Sequence, residues 1–205
     1  LLNKKYKIKK FFFASSSSVY GDQKKFPIKE TSKLNPKNPY AITKLSSEKV
    51  VKKTFSDEKI NFLIFRFFTV YGPYGRPDMF IHKLLNSLKK KKIINLYNGG
   101  MNYRDFTYID DLVKILFLAL KKNNKNEIIN ICRSNPIKTL DLLDIIKKAF
   151  PKKNIKIKKI GFVKGEMLKT HGCNKKLKKK FGMIKFTNLK KGIKQTIKAF
   201  NKFGI

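Results

Sequence analysis

Tryptophan is absent from this 205-residue chain, cysteine and histidine occur twice each, and only 13 acidic residues stand against 49 basic ones. Each shortage closes off a class of protein. Cys132 and Cys173 lie outside any Cys-x-x-Cys spacing and His82 and His171 are isolated, so no zinc site can be assembled from spacing, and both cysteines read as free thiols. No apolar run has the length of a membrane-crossing helix. The opening Leu1-Leu2-Asn3-Lys4-Lys5-Tyr6-Lys7 lacks the order of charged region, apolar run and small-residue cleavage site that marks a secretory signal, so a cytoplasmic protein without membrane contact is expected. The 11 glycines never form Gly-x-x-Gly-x-x-Gly, the turn that lets backbone amides approach a dinucleotide pyrophosphate.

The scarcity of acid leaves a formal net charge of +36, which raises nucleic-acid binding as a hypothesis. The lysines argue against it, because they are spread through every segment (Lys89 to Lys92, Lys152 to Lys159, Lys175 to Lys180) and belong to no nucleic-acid-binding module. No specific nucleic-acid partner is expected. Only Arg66, Arg76, Arg104 and Arg133 are arginines, and the planar donor fork of arginine suits carboxylate and phosphate, so their persistence fits anion recognition.

With 41% hydrophobic residues and alternating strand and helix patterns, the chain reads as a globular α/β protein with a sizeable core. Phe11-Phe12-Phe13-Ala14-Ser15 is a short apolar run of the buried parallel-strand kind, and it ends in Ser15 to Ser18. Residues 22–38, with Pro27 and Pro36, read as an irregular loop. Asn38 suits a helix N-cap and Pro39 the first helical position, with Ala41, Leu45, Val51 and Phe55 at roughly helical spacing. Asn61 to Phe67 is a second buried strand, followed by a glycine and proline loop over residues 69–75. Further on, strands are expected at 93–97, 128–132 and 155–157, a turn at Asn98-Gly99-Gly100, and helices over 110–121, from a Thr139 cap, over 174–181 and over 187–203.

Tyr40 and Lys44 are four apart and so share one helix face, where an ammonium beside a phenol favours the phenolate and makes the pair a candidate general base. Ligands of open α/β sheets bind beyond the carboxyl ends of strands, which is where the serine run falls. Taken singly, the serines would be a polar turn and Tyr-x-x-x-Lys a solvated helix face.

Together, Ser15-Ser16-Ser17-Ser18-Val19-Tyr20-Gly21, Pro39-Tyr40-x-x-x-Lys44, Arg66-Phe67-Phe68-Thr69-Val70-Tyr71-Gly72-Pro73 and Arg104-Asp105-Phe106-Thr107-Tyr108-Ile109-Asp110-Asp111 resemble the extended short-chain dehydrogenase/reductase enzymes, NAD-dependent epimerases and dehydratases. Gly75-Arg76-Pro77-Asp78-Met79 narrows the resemblance toward UDP-glucuronate 4-epimerases. It implies the C-terminal part of a Rossmann-like doubly wound parallel sheet plus a small α/β substrate-binding domain, divided into residues 1–72 and 73–205, with segments of the second part returning to the sheet. The family carries its Gly-rich turn ahead of the serine run, so the chain is expected to begin in mid-domain, to leave its first strand with an apolar edge, and to retain no NAD by itself.

Carried over residue by residue, the resemblance implies Tyr40 as acid and base toward a sugar hydroxyl, and Lys44 as its modulator and holder of the nicotinamide ribose. Ser16 would be the bridging hydroxyl, and Phe67 another contact to NAD. Ser17, Ser18, Thr69, Arg76, Tyr97, Arg104 and Glu166 would surround the nucleotide sugar, with Arg76 on the sugar carboxylate and Arg104 on the diphosphate. Val163 stands where galactose epimerases carry a second phosphate-binding arginine, next to Lys164. Ser17 and Ser18 occupy the places where dehydratases carry Asp-Glu, which speaks against dehydration. A homodimer is implied for the full-length enzyme. An inactive remnant of such an enzyme, and a basic nucleic-acid-binding protein, remain as alternative readings.

Overall fold

The computed structural model describes residues 7–123, 125–151, 155–161 and 167–203. In chain order the elements are β1 (Lys10–Ser16), a 3₁₀ turn (Ser17–Tyr20), α1 (Pro39–Asp57), β2 (Asn61–Phe67), β3 (Thr69–Tyr71), α2 (Phe80–Lys90) and β4 (Ile94–Leu96). A second 3₁₀ turn (Tyr97–Gly100) leads to β5 (Tyr103–Arg104), β6 (Phe106–Tyr108), α3 (Ile109–Lys121), β7 (Glu127–Ile131), β8 (Ile137–Lys138) and α4 (Thr139–Lys148). β9 (Ile157–Lys159), α5 (Lys175–Phe181) and α6 (Leu189–Phe203) follow.

Three parallel strands in the order β1-β2-β7 form the principal sheet. β2 lies in the middle and is buried from Phe62 to Arg66, which explains why its sequence is a nearly unbroken apolar run rather than an alternation. Its side chains still alternate in direction. Phe62 and Ile64 pack with Val51 of α1, joined by Phe11, Phe13 and Phe55, while Leu63 and Phe65 pack with Leu112, Ile115 and Ala119 of α3. Among the described residues β1 pairs on one side only, and Phe11, Phe12 and Phe13 remain half-buried.

The remainder is built from two-stranded pairings, β3-β6, β4-β9 and β5-β8, around a second core. That core is mainly aliphatic: Leu84, Leu85 and Leu88 of α2, Leu142, Leu143 and Ile146 of α4, and Ile193, Ile197 and Phe200 of α6. Gly192 lets α6 approach β3, since a Cβ there would sit 2.2 Å from the Tyr71 hydroxyl.

Local chemistry sets the start of α1 and the end of α5. The Asn38 side chain accepts a hydrogen bond from the Ala41 amide at 2.8 Å, and Pro39 opens α1 without wasting a donor. Gly182, with φ of 88°, closes α5. Three expectations need correction. The sequence reading assigns no helix to Phe80–Lys90, although Ile81, Leu84, Leu85 and Leu88 form the buried stripe of α2. Thr139 is not a cap but the first residue of α4, and its amide and hydroxyl both donate to the Asn102 carbonyl at 2.8 and 3.1 Å. The strand expected at 155–157 lies at Ile157–Lys159, where it pairs with β4.

Candidate active site

β1 delivers the serines to the carboxyl edge of the sheet, and α1 returns over the same edge. Ser16 ends the strand, and its hydroxyl accepts from the Ser18 amide at 3.2 Å. The turn closes at Gly21, whose φ of +57° and position, with a virtual Cβ 1.9 Å from the Asn35 carbonyl oxygen, leave room only for glycine. Ser17 is buried. The Ser18 hydroxyl is also buried and has no hydrogen-bond partner among the described residues.

Tyr40, in the first turn of α1, is 51% exposed. Lys44, one turn on, donates to the Ala14 carbonyl at 2.8 Å, and its ammonium lies 5.8 Å from the Tyr40 ring centre and 5.2 Å from that of Phe13. The tyrosine, the ammonium and the last residues of β1 are thus assembled at one place by a bond between helix and strand.

A further turn along the same face stands Glu48, which sequence reasoning missed although Tyr40-x-x-x-Lys44-x-x-x-Glu48 is legible as a stripe. Glu48 is 1% exposed and accepts from the Ser15 hydroxyl at 2.5 Å. Its two oxygens also take the Arg66 fork, from Nε at 2.9 Å and from Nη2 at 2.7 Å. The anion that Arg66 recognises is therefore an internal carboxylate. It is equally buried, and its remaining nitrogen reaches the Tyr20 hydroxyl at 3.0 Å and the Glu30 carbonyl at 3.3 Å. Tyr20 in turn donates to Asn130 at 2.6 Å, and Asn130 bonds Glu30 and the Ile28 carbonyl. Burial pushes the Tyr20 phenol up to about 12 despite the opposing Arg66 charge, so it stays a donor. For Arg66 burial works against the charge, but the bonds to Glu48 and Tyr20 prevail and raise its pKa.

Two of the three carboxylates of the 104–111 motif, Asp105 and Asp111, are also structural. Asp105, fully buried, accepts backbone amides from Ser134 at 3.1 Å and Gly172 at 3.0 Å, joining two loops. Burial raises it from 3.8 to about 6 against the pull of those amides and of Arg133. Asp111 holds the approach to α6 through the Thr187 amide and hydroxyl, at 2.7 and 2.8 Å.

The other candidates are distributed as follows. Phe67 is half-buried at the end of β2, and Thr69 opens β3, bonded through its amide to the Asp105 carbonyl. Arg76 is an exposed loop arginine whose fork is taken by Asp78, from Nε at 3.0 Å and from Nη2; the Tyr40 phenol is among the groups that bear on its charge. Tyr97 is exposed in the second 3₁₀ turn, and Arg104 is half-buried on β5 with a bond to the Tyr103 carbonyl. Glu166, Val163 and Lys164 lie outside the described residues. Among the described residues no cluster of metal-ligating side chains occurs, and no helix is long and apolar enough to cross a membrane.

Comparison with known proteins gives this arrangement a context. An uncharacterized protein of Methanocaldococcus jannaschii is 37% identical over 193 residues, covering 94% of this chain and 59% of the relative. A UDP-glucuronate 4-epimerase of Thermodesulfobacterium geofontis is 33% identical over 198 residues, covering 96% of this chain and 60% of the relative. The crystal structure of UDP-glucuronic acid 4-epimerase from Bacillus cereus, in complex with UDP-glucuronic acid and NAD, superposes with a TM-score of 0.90 at 32% identity, over 98% of this chain and 64% of that one. The chain spans about 60% of the length of these relatives. The sequence pattern of the NAD dependent epimerase/dehydratase family matches residues 2–132, and with the parallel sheet and the serine, tyrosine and lysine at its carboxyl edge it follows that the chain belongs to that family.

Proposed function

We propose that the chain carries the proton-transfer and sugar-binding part of a nucleotide-sugar 4-epimerase acting on UDP-glucuronate. The observation that carries this reading is the bond from Lys44 to the Ala14 carbonyl, which brings Tyr40 and Lys44 to the strand end that bears Ser16. The residues present fit the nicotinamide end of NAD, with Lys44 at its ribose and Phe67 alongside, whereas the sequence holds no Gly-rich turn for the pyrophosphate. NAD when bound would supply acceptance and return of a hydride at sugar C4. Tyr40 would take the C4 hydroxyl proton and later return it to the C4 oxygen of the keto sugar, whose rotation would turn its other face toward the hydride, with Ser16 orienting that hydroxyl. Arg76 would exchange Asp78 for the sugar carboxylate, with Ser17, Thr69, Tyr97, Arg104 and Glu166 around the rest of the nucleotide sugar and the chain divided functionally near Gly72.

The experiment fuses this chain behind the part of the Bacillus cereus enzyme that it does not cover and follows conversion of UDP-glucuronate by NMR. Tyr40→Phe, which removes the proton acceptor and keeps the ring, should lower turnover about 10²- to 10⁴-fold while bound NAD persists. Parental rates in this variant would defeat the assignment. Arg76→Leu should lower kcat/KM for UDP-glucuronate roughly tenfold more than for UDP-glucose, the value of a charge-assisted bond of about 1.5–3 kcal/mol. Equal losses would make Arg76 structural. An inactive remnant is the second reading, and no turnover in the fusion would support it.

A further inference from the structure

We propose that Glu48 is a positioning residue for the Tyr40–Lys44 pair, and that the clamp formed by Ser15, Glu48 and Arg66 fixes the rotation of α1 over the carboxyl end of β1. The inference rests on the reading of Tyr40 as proton acceptor. Tyr40, Lys44 and Glu48 occur at every fourth position and so lie along one face of α1. Two consecutive residues of β1 hold the last two of them: Ala14 through its carbonyl to Lys44, and Ser15 through its hydroxyl to Glu48. Arg66 stands opposite Ser15 in the β1-β2 register, so the clamp grips both strands at the level of the site.

The apolar stripe of α1 is interrupted by a buried carboxylate. α1 fully buries Ala41, Glu48 and Val51, half-buries Leu45 and Phe55 against the neighbouring cores, and leaves Ile42 and Val50 facing solvent. α6 by contrast buries Leu189, Ile193, Ile197 and Phe200 in one stripe. A helix turned by one residue swings its face by about 100°, which would carry Lys44 and Glu48 away from the end of β1 and break the bonds to Ala14 and Ser15. Hydrogen bonds are directional and resist such a turn, and a bidentate pair between arginine and carboxylate adds geometric specificity to its energy.

The test uses the 205-residue chain. Glu48→Gln keeps an acceptor for Ser15 and Arg66. The double variant Glu48→Leu/Arg66→Met replaces the ion pair with apolar side chains of similar volume, a change that is often neutral for folding. The readout is the slowly exchanging ¹⁵N signal of the Lys44 ammonium bonded to Ala14, identified by its loss in Lys44→Arg, together with thermal unfolding. The double variant should unfold within about 5 °C of the parent and lose the Lys44 signal, while Glu48→Gln keeps it. A folded double variant with that signal intact overturns the proposal. Ser15→Ala, which cuts only the bond to β1, decides the matter if the double variant fails to fold: a weakened Lys44 signal supports the clamp and an unchanged one overturns it. Absence of turnover in the parental fusion, with the Lys44 signal still responding to Glu48, would remove the epimerase reading and leave the clamp in place.

Discussion

The two halves of the molecule are held together by different physics. Around α2, α4 and α6 the core is mainly leucine, isoleucine and phenylalanine, which gain from being dry and from touching one another, with little regard to direction, and the buried His82 and Thr196 bond only nearby backbone carbonyls. Where β1, β2 and α1 meet at the sheet edge, the buried groups include Glu48, Arg66, Tyr20 and Asn130, closed on each other by bonds of 2.6 to 3.0 Å. The candidate reacting groups stand on the second kind of foundation. A proton transfer needs its atoms placed to within tenths of an ångström, and an apolar core that tolerates volume-conserving exchange does not supply that by itself.

The comparison can be broken most decisively at Arg66. Arg66→Met should cost about 3–5 kcal/mol in denaturant unfolding, since it strands the Glu48 carboxylate in the interior. Leu84→Ala in the other half should cost about 2–5 kcal/mol, but Leu84→Met under about 1.5 kcal/mol. A loss below about 1 kcal/mol at Arg66 would mean that the network does not pin the sheet edge.

Asp105 sharpens the contrast through pH. Its folded-state pKa of about 6 lies above the ordinary 3.8, so the folded chain binds the extra proton. The resulting stability is fully present below about pH 3.8 and lost as pH rises through about 6, amounting to at most about 3 kcal/mol. The difference in unfolding free energy between Asp105→Asn and the parent should therefore change across that window and stay flat above it; a difference that holds constant would place the carboxyl's titration elsewhere. The smallest effect is expected at Asn38→Ala, which removes one capping bond and should cost about 1 kcal/mol. A drop much larger than that would show that the cap does more than start α1.

What the sequence made legible was local. Asn38-Pro39 starts α1 by a bond spanning three residues, and the apolar run of β2 needs no partner to be read as a buried strand. Tyr40 and Lys44 could be paired from spacing alone. The clamp could not, because Ser15 lies 33 positions from Glu48 and Arg66 lies 18 from it, and no periodicity reports which buried carboxylate meets which arginine. The same holds for Asp105, whose amide partners are 29 and 67 positions away. α2 escaped notice for a different reason. Its start carries no capping side chain, since Met79 stands at the N-cap position.

Arg66 also turns the chain's bias toward lysine into a natural substitution experiment. Only four of the 49 basic residues are arginine, so the composition has in effect tried lysine almost everywhere a cation is needed. At position 66 three separate nitrogens are engaged with Glu48, Tyr20 and Glu30 at once. A lysine presents a single nitrogen on a flexible stem and cannot reach partners on opposite sides of a fork. Wherever a lysine-rich sequence of this kind keeps an arginine, the first thing to look for is a planar partner, inside the protein or outside it, that charge alone would not satisfy.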